Sequence, residues 1–488
     1  MLRYQTLMDL IQHSVTSGIL KPGDRAPSIR TLSAQMGFSV ATVQHAYALL
    51  ESGGVLEARA RSGFFVSNSV RRLSEFSASP ARFGGVEDPK AAGGSLVGEA
   101  GARNVAWQQP GRMHGFGSPY PSSDLLPQAE LHRCLLGNLR RAGPGSVPTP
   151  AEGALPLREA IARRLMARGL TVNAAQILIT RSLRSALETC LDLTSREGRA
   201  IIVESPSDQQ GIAAIHGRGA RVIEIYSHPR FGIDPDQFRH LLENNPVACC
   251  VLTASNHKPT GISYSAEVVA NIVDAATRRD VTIIENDAAT ELSYPASRGV
   301  TYRQFDTRDV VLQVGGFADT LGPGFGSGWI VLNDRFRAAG LHHRQDDELL
   351  TAEIATQLSI AEFMGRRNYD AHLRRLREAL GARMRRGLLL MAQRLPSNCA
   401  VSHPTGGYMC WVRGPKEFDA TSMIALAARQ GVDFAPGPMF SITRWFSNFM
   451  ALNFSRPWGR ATEDELGSVA RILRDAGGLR RAVGASGQ

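Results

Sequence analysis

The sequence contains very few lysines. Only four of its 55 basic residues are lysine, at positions 21, 90, 258 and 416, and the others are arginine. An enzyme that forms a Schiff base with a carbonyl group needs a lysine amine. Imine chemistry in this chain is therefore restricted to four side chains, and none of them lies between Lys258 and Lys416.

The sequence also lacks the features of membrane, secreted and metal proteins. No apolar run approaches the roughly 18 residues that span a bilayer. The start, MLRYQTLMDL, has no basic region followed by an apolar core. The six cysteines form no C-x-x-C pair and have no metal-type histidines nearby. We therefore expect a cytoplasmic protein with reduced, buried thiols, no metal and no membrane partner.

The length and the charge favour a multidomain protein with a polyanionic partner. The chain has 488 residues, enough for several domains, and a formal net charge of +10. Residues 1–72 hold eight Lys or Arg and four Asp or Glu, a net charge of +4 on a small segment. Such a basic segment is typical of nucleic-acid binding.

The first 68 residues predict three helices followed by two short strands. Apolar residues recur at helical spacing from Leu7 to Val15, and Ser28 and Ser39 stand where two further helices begin. Gly37 and the pair at 53–54 end those helices. The inner face of the third helix is predicted to consist of Val43, Ala46, Tyr47 and Leu50. Strands at 55–59 and 64–67 complete a winged helix-turn-helix.

This unit resembles the GntR-type DNA-binding domain. The resemblance lies in GILKPGDRAPSIR (residues 18–30), in the S-x-x-T-V start of the third helix, and in the wing SGFFV. It implies contacts with double-stranded DNA by Arg30, Ser39, Thr42, Gln44, His45, Arg61, Ser62 and Gly63. Val40 stands where many relatives have an arginine. A head that no longer reads bases, with Ser39 and Thr42 acting only as helix caps, is the alternative.

The remaining chain predicts a linker and an α/β body. Residues 69–103 are rich in Ser, Ala, Gly and Pro and predict a flexible linker. From residue 104 onward, short apolar runs alternate with helical segments, which indicates a mainly parallel sheet covered on both faces. We expect a large part at about 104–345 and a small α+β part at about 370–480.

The segment GGFADTLGPGFGSGW, residues 315–329, resembles the lysine loop of fold-type I pyridoxal-phosphate (PLP) aminotransferases. Two functional positions differ. Asp319 occupies the position of the Schiff-base lysine, and Gly326 that of the arginine that holds the cofactor phosphate. A carboxylate cannot form an imine, so we predict no catalytic residue, no covalent PLP and a pseudoenzyme body.

Six other positions that serve the cofactor or substrate in that family are also altered. Asn286 replaces the aspartate that pairs with the pyridine nitrogen, and Ala288 and Ala289 stand where a tyrosine should follow. Lys258 replaces an asparagine in a turn, and Asp208 replaces the aromatic residue that stacks on the ring. The other two changes are Ser182, in place of the phosphate-cup glycine, and Ala451, in place of the arginine for the substrate carboxylate.

Two sets of basic residues allow alternative roles. Lys258 is either an exposed loop lysine or an amine near the former ring position, able to form an imine or bind an anion. Arg181 and Arg184 flank the phosphate cup and are candidates for anion binding.

A GntR-type head on an aminotransferase-like body resembles the MocR subfamily of bacterial transcriptional regulators. The resemblance implies a DNA-binding regulator whose body forms a homodimer and senses a candidate small-molecule effector. Two alternatives are an active PLP-dependent aminotransferase with a fused DNA-binding head, and an oligomeric scaffold that does not read DNA.

Overall fold

The computed structural model describes most of the chain: residues 7–8, 10–11, 14–15, 19–52, 55–59, 63–67, 86–87, 115–142, 150–216, 218–295, 297, 299–345, 354–366 and 368–484. Across these residues, no helix is both long and apolar enough to cross a membrane. The same residues include no cluster of His, Cys, Asp and Glu suited to a metal ion. All six cysteines are unpaired and buried, as predicted.

The head has the predicted order of helices and strands. Its described residues between 7 and 15 are helical, and α1 (Ile29–Met36) and α2 (Val40–Ser52) follow. Strands β1 (Leu56–Arg59) and β2 (Gly63–Val66) then pair antiparallel as a wing.

The boundaries of the two head helices have clear local causes. The hydroxyl of Ser28 accepts from the backbone N–H of Thr31 at 3.1 Å, which caps the start of α1. Gly37 ends that helix with a φ of +65°, a left-handed conformation that favours glycine. The predicted inner face of α2 is confirmed, since Val43, Ala46, Tyr47 and Leu50 are all buried.

The body contains a large, mainly parallel sheet. Its strands are β3 (Val86–Glu87), β4 (Ile177–Thr180), β5 (Ala200–Ser205), β6 (Val222–His228), β7 (Gly232–Ile233), β8 (Val247–Leu252), β9 (Thr282–Asn286), β10 (Val311–Gly316) and β11 (Gly328–Val331). The order across the sheet is β3, β6, β5, β8, β9, β10, β11, β4, with β7 paired to β6. Strands β6, β5, β8, β9 and β10 run parallel, and β11 and β4 are antiparallel to their neighbours.

Helices cover both faces of this sheet. They are α3 (Gln128–Ala142), α4 (Leu155–Ala167), α5 (Leu183–Thr194), α6 (Gln209–Ile215), α7 (Pro235–Asn244), α8 (Ala266–Arg278), α9 (Ala318–Leu321), α10 (Asp334–Gln345) and α11 (Ile354–Gly365). Neighbouring strand residues enter different cores: Ile202 packs with Phe238 of α7, whereas Ile201 packs with Leu187 of α5. This alternation explains why the strands read as continuous apolar runs.

A smaller α+β part follows. It consists of α12 (Asn368–Arg394), β12 (Ala400–Val401), β13 (Met409–Arg413), α13 (Ile424–Arg429), β14 (Ala435–Pro436), β15 (Phe449–Asn453) and α14 (Arg460–Gly484). Its sheet has the antiparallel order β12, β13, β15, β14.

The predicted linker is not free along its whole length. Within residues 69–103, Val86–Glu87 pair antiparallel with β6 at the edge of the large sheet. A flexible linker was expected there because the composition is polar and aperiodic, but main-chain hydrogen bonding at a sheet edge needs no apolar periodicity. The other residues of this segment lie outside the described part of the chain.

Candidate functional site

The loop that resembles the lysine loop joins β10 to β11 through the short helix α9. Close packing requires glycine at its start, because a Cβ atom on Gly315 would lie 2.2 Å from the indole ring of Trp329. Gly322 ends α9 with a φ of +94°. Asp319 is in the first turn of α9 and is 4% exposed.

A cavity of about 150 Å³ lies beside this loop. Six of the eight altered positions line it, namely Asp319, Lys258, Asp208, Ser182, Gly326 and Ala288. The two candidate anion-binding residues, Arg181 and Arg184, and the uncharged residues Tyr120, Gln209, Gln210 and Phe440 also line it. The sequence prediction that these separate segments meet at one place is consistent with this geometry.

A buried ion pair occupies the position of the expected Schiff-base lysine. Nζ of Lys258 lies 2.6 Å from Oδ2 of Asp319 and 3.8 Å from Oδ2 of Asp208. The hydroxyl of Tyr408 donates to Oδ1 of Asp319 at 2.8 Å, and the Lys258 ammonium is 5.2 Å from the centroid of the Tyr408 ring. A lysine therefore does lie in the site, but it comes from the turn at residues 257–261 and not from the loop at residues 315–329.

The interpretation of Lys258 as an exposed loop lysine is wrong. Its side chain is 16% exposed, and that of Asp319 is 5% exposed. The turn that carries Lys258 is closed by hydrogen bonds between the backbones of His257, Gly261 and Ile262. This turn directs the lysine side chain into the cavity. Burial of the ammonium is tolerated because the buried carboxylates replace the water that would otherwise solvate it.

The electrostatics of the pair keep Lys258 charged. Burial lowers the pKa of Lys258, but Asp319, Tyr408 and Asp208 act in the opposite direction and hold it well above its usual range. Burial and the charge of Asp319 raise the pKa of Tyr408 well above its usual value, so its hydroxyl stays protonated. The cavity therefore presents an ammonium held by carboxylates rather than a neutral amine.

The former phosphate cup is formed by the start of α5. Ser182 is the N-cap of this helix, and its hydroxyl accepts from the backbone N–H of Ser185 at 3.2 Å. The guanidinium of Arg184 pairs with Glu188, one turn further along the same helix, at 2.8 Å. Arg181 is exposed at the rim. Ser182 therefore caps the start of α5 at the position where the family has glycine.

The other two altered positions do not line the cavity. Oδ1 of Asn286 accepts from the backbone N–H of Ala288 at 3.2 Å, so the amide supports the turn after β9. Ala451 is buried in β15 within an aromatic cluster that contains Trp411 and Phe440. At both positions the residue serves local packing or local hydrogen bonding.

Sequence reasoning missed several groups of this site. Neither Tyr408 nor Tyr120 was assigned to the site from the sequence. Outside the cavity, Arg168 donates to both carboxylate oxygens of Asp287, at 2.6 and 2.8 Å, and this pair was also not predicted. A lone tyrosine or arginine far away in sequence carries no local pattern, so only the fold could place these side chains.

These side chains do not fit covalently bound PLP. The carboxylate of Asp319 cannot form an imine, and Lys258 is protonated, whereas imine formation needs a neutral amine. The amide of Asn286 cannot pair with a pyridinium as a carboxylate does. Gly326 offers no guanidinium for a phosphate.

Several of the predicted DNA-binding residues lie within the described part of the chain, and they are on the surface of the head. Arg30, Ser39 and Gln44 are exposed, and Thr42 is half-buried. The Ser39 hydroxyl accepts from the backbone N–H of Thr42 at 3.2 Å at the start of α2. Gly63 begins the second wing strand with a φ of +97°. The side chain of His45, together with Arg61 and Ser62, lies outside the described residues.

The fold and the site together define a winged helix-turn-helix head joined to a fold-type I aminotransferase-like body. Residues 3–66 match the family described as bacterial regulatory proteins, gntR family, and residues 138–451 match aminotransferase class I and II.

The chain is similar to transcriptional regulators over most of its length and to an aminotransferase over three quarters of it. The chain is 30% identical to the uncharacterized HTH-type transcriptional regulator YdcR of Escherichia coli strain K12, over 97% of this chain and 100% of YdcR. It is 23% identical to the probable rhizopine catabolism regulatory protein MocR of Rhizobium meliloti, over 89% of this chain and 86% of that protein. The α-aminoadipate aminotransferase LysN of Thermus thermophilus matches in structure with a TM-score of 0.69 at 22% identity, covering 75% and 92% of the two chains, which shows the fold alone.

The chain therefore belongs to the MocR-type HTH transcriptional regulators of the GntR family, which carry an aminotransferase class I and II domain.

Proposed function

We propose that this protein regulates transcription by binding double-stranded DNA through its head, while its body acts as a homodimer frame and effector sensor without covalent PLP. The observation that carries this proposal is the buried Lys258–Asp319 ion pair in the body of a chain whose head has, in its described residues, the helices and strands of a winged helix.

The start of α2 supports the proposed DNA contact. Its first backbone N–H groups lie beside the hydroxyls of Ser39 and Thr42, an arrangement suited to a DNA phosphate. The exposed side chain of Arg30 adds a positive charge on the neighbouring helix. Gln44 is exposed one turn into α2, where a recognition helix in the major groove reads base edges.

The ion pair supports a body that does no aminotransferase chemistry. Removing either partner would leave a charge buried in the cavity, so the two residues stabilise each other. An amine held in this way is a poor nucleophile, because the proton on it must first be lost. The cavity instead offers fixed charges and hydroxyls to a small ligand, and we propose that an effector binds there without a covalent bond.

Exposed apolar side chains on α3 support the homodimer. Leu136 and Leu139 lie three residues apart on this helix and are 54% and 51% exposed, and Met166 at the end of α4 is 62% exposed. Large apolar side chains grouped on one side of a body often mark an interface. A two-fold dimer would present two heads to paired DNA half-sites.

The DNA-binding proposal is tested by fluorescence anisotropy with DNA from upstream of the protein's own gene and a shuffled sequence of equal length. Affinity should fall steeply between about 50 and 200 mM salt. Arg30→Ala should lower the slope of log affinity against log salt by about one. Arg429→Ala removes an exposed arginine of the small α+β part rather than of the head and should change nothing.

Three outcomes decide between the hypotheses. No binding at low salt to any upstream fragment would refute DNA binding by this head. Equal affinity for the upstream and shuffled DNA would favour the scaffold, whose head does not read bases. Weaker binding of Gln44→Ala to the upstream fragment alone would support base readout by α2.

The aminotransferase alternative is favoured by one observation, since a lysine amine does lie in the cavity. Absorbance after addition of PLP, before and after borohydride reduction, tests it. We expect no imine band, because Lys258 is held as an ammonium. A stable imine that Lys258→Met abolishes would overturn the proposal and assign the cofactor to Lys258.

A further inference from the structure

The 27-residue helix α12 belongs to three hydrophobic cores. Leu373, Leu376 and Leu380 pack in the core that contains Phe317 and Leu321 of the Asp319 loop. Met384, Leu390 and Met391 pack in the core of the small α+β part. Leu389 and Ala392 pack with the core of the DNA-binding head. One helix thus contacts the loop, the small part and the head.

The N-terminal end of α12 is bonded to the residue next to Asp319. Nε2–H of His372 donates to the backbone carbonyl of Thr320 at 2.7 Å. The hydroxyl of Tyr369 lies 3.2 Å from Oγ1 of Thr320 and also donates to Glu291 at 2.7 Å. Since His372 is buried, these contacts fix the loop to the helix without solvent between them.

The C-terminal end of α12 contributes apolar side chains to the core of the head. Leu389 and Ala392 are each 8% exposed and belong to the cluster that includes Leu7, Ile11 and Val43. Dispersion attraction falls off steeply with distance, and a gap of about 0.5–1 Å removes roughly a quarter to a half of it, so a small shift of the helix weakens this packing. The distance from His372 to Leu389 along the helix is about 25 Å.

Charged side chains in the middle of α12 tie it to the rest of the body. Arg383 binds Asp124 at 2.6 Å, and Arg386 binds Glu463 of α14 at 2.9 Å. Packed helices of this kind move as units rather than deforming continuously. A displacement at one end of α12 is therefore carried to the other.

We propose that α12 couples the Asp319 cavity to the DNA-binding head, so that a change of contacts at Thr320 alters how firmly the head packs on Leu389 and Ala392. This regulatory role rests on the proposed function, since it matters only if the head binds DNA. Coupling of this kind is reciprocal: displacement of the head must loosen the Asp319 loop by the same factor.

Hydrogen exchange measured by mass spectrometry on the full-length protein tests the coupling without an effector. His372→Phe keeps a ring in the site but removes the hydrogen bond to Thr320. It should raise exchange in α1 and α2 of the head at least about fivefold, the lower end of typical couplings between sites. Leu389→Asn, at the other end of α12, should raise exchange in the loop at 317–325 by a similar factor.

Two further variants control for general destabilisation. Arg374→Gln changes an exposed residue on the same helix and should leave both regions unchanged. Tyr369→Phe is a milder change at the loop end and should act in the same direction as His372→Phe. If His372→Phe and Tyr369→Phe raise exchange only near 317–325 while the head stays as in the wild type, the coupling is refuted.

The DNA measurement separates this inference from the proposed function. A wild-type protein that binds no DNA refutes the proposed function, while the exchange data still decide whether the two ends of α12 are coupled. A wild-type protein that binds upstream DNA, with His372→Phe equal to it in both affinity and head exchange, leaves the function intact and overturns the coupling.

Discussion

Replacing Lys258 with methionine should leave the carboxylate of Asp319 buried without its cation. Methionine keeps much of the side-chain length, so the main change is the loss of the ammonium that lies 2.6 Å from Asp319. Removing one partner of a buried ion pair typically costs about 3–5 kcal/mol. Tyr408 still donates to Asp319 in the variant, so we expect about 3 kcal/mol, the lower end of that range.

The interaction energy between Lys258 and Asp319 is best measured by a double-mutant cycle. Lys258→Met, Asp319→Asn and the double variant are unfolded with guanidinium, and the transition of the body is followed by tryptophan fluorescence. The double variant should be more stable than the sum of the single changes predicts, with a coupling of about 2 kcal/mol. Lys416→Met, at an exposed lysine outside the cavity, is the matched control and should be neutral.

The pH dependence of the cost follows from the direction of the pKa shift. The pKa of Lys258 is raised, so its contribution to stability is fully present below its ordinary value of 10.5 and is lost only as the pH rises above it. The difference between the wild type and Lys258→Met should therefore stay constant through neutral pH.

Strictly additive single changes would refute this reasoning. A Lys258→Met variant as stable as the wild type at neutral pH would also refute it. Either result would mean that water, and not the partner residue, solvates the charges of Lys258 and Asp319.

Three other predictions concern backbone packing and the head. Gly315→Ala should destabilise the body by about 1–3 kcal/mol because its Cβ would overlap Trp329, whereas Gly324→Ala, with no atom within 4 Å of the added Cβ, should be neutral in the same unfolding assay. Tyr47, whose pKa burial raises to about 12 from 10.0, stabilises the head below pH 10 and loses that effect as pH rises; head amide exchange should show a shallower alkaline loss in Tyr47→Phe. Ser39→Ala removes the cap of α2 and should cost the head about 1 kcal/mol in the same exchange measurement.

The elements of the fold were largely predictable because each has a local cause. Ser28 and Gly37 mark the two ends of α1, and the buried spacing of Val43 and Leu50 marks α2. The parallel strands of the body are continuous apolar runs of the length expected for strands buried on both faces. The edge strand β3 was not predicted, since two residues in a polar segment carry no periodicity.

The sequence predicted which residues belong to the site but not which of them are in contact. The family motif placed Asp319, Lys258, Asp208, Ser182 and Gly326 at one ligand, and all five line one cavity. The sequence did not predict the pairing of Lys258 with Asp319, because the two residues are 61 positions apart and no local pattern indicates that they are in contact.

The sequence by itself determined that imine chemistry is missing from the usual position, because composition excludes any lysine between Lys258 and Lys416. It also determined the head, whose caps, turns and inner face are set by neighbouring residues. Only the tertiary structure decided that Lys258 is turned inward, that Tyr408 completes its ion pair, and that α12 touches both the loop and the head. Those contacts join distant segments, and their energies depend on burial, which exists only once the chain has folded.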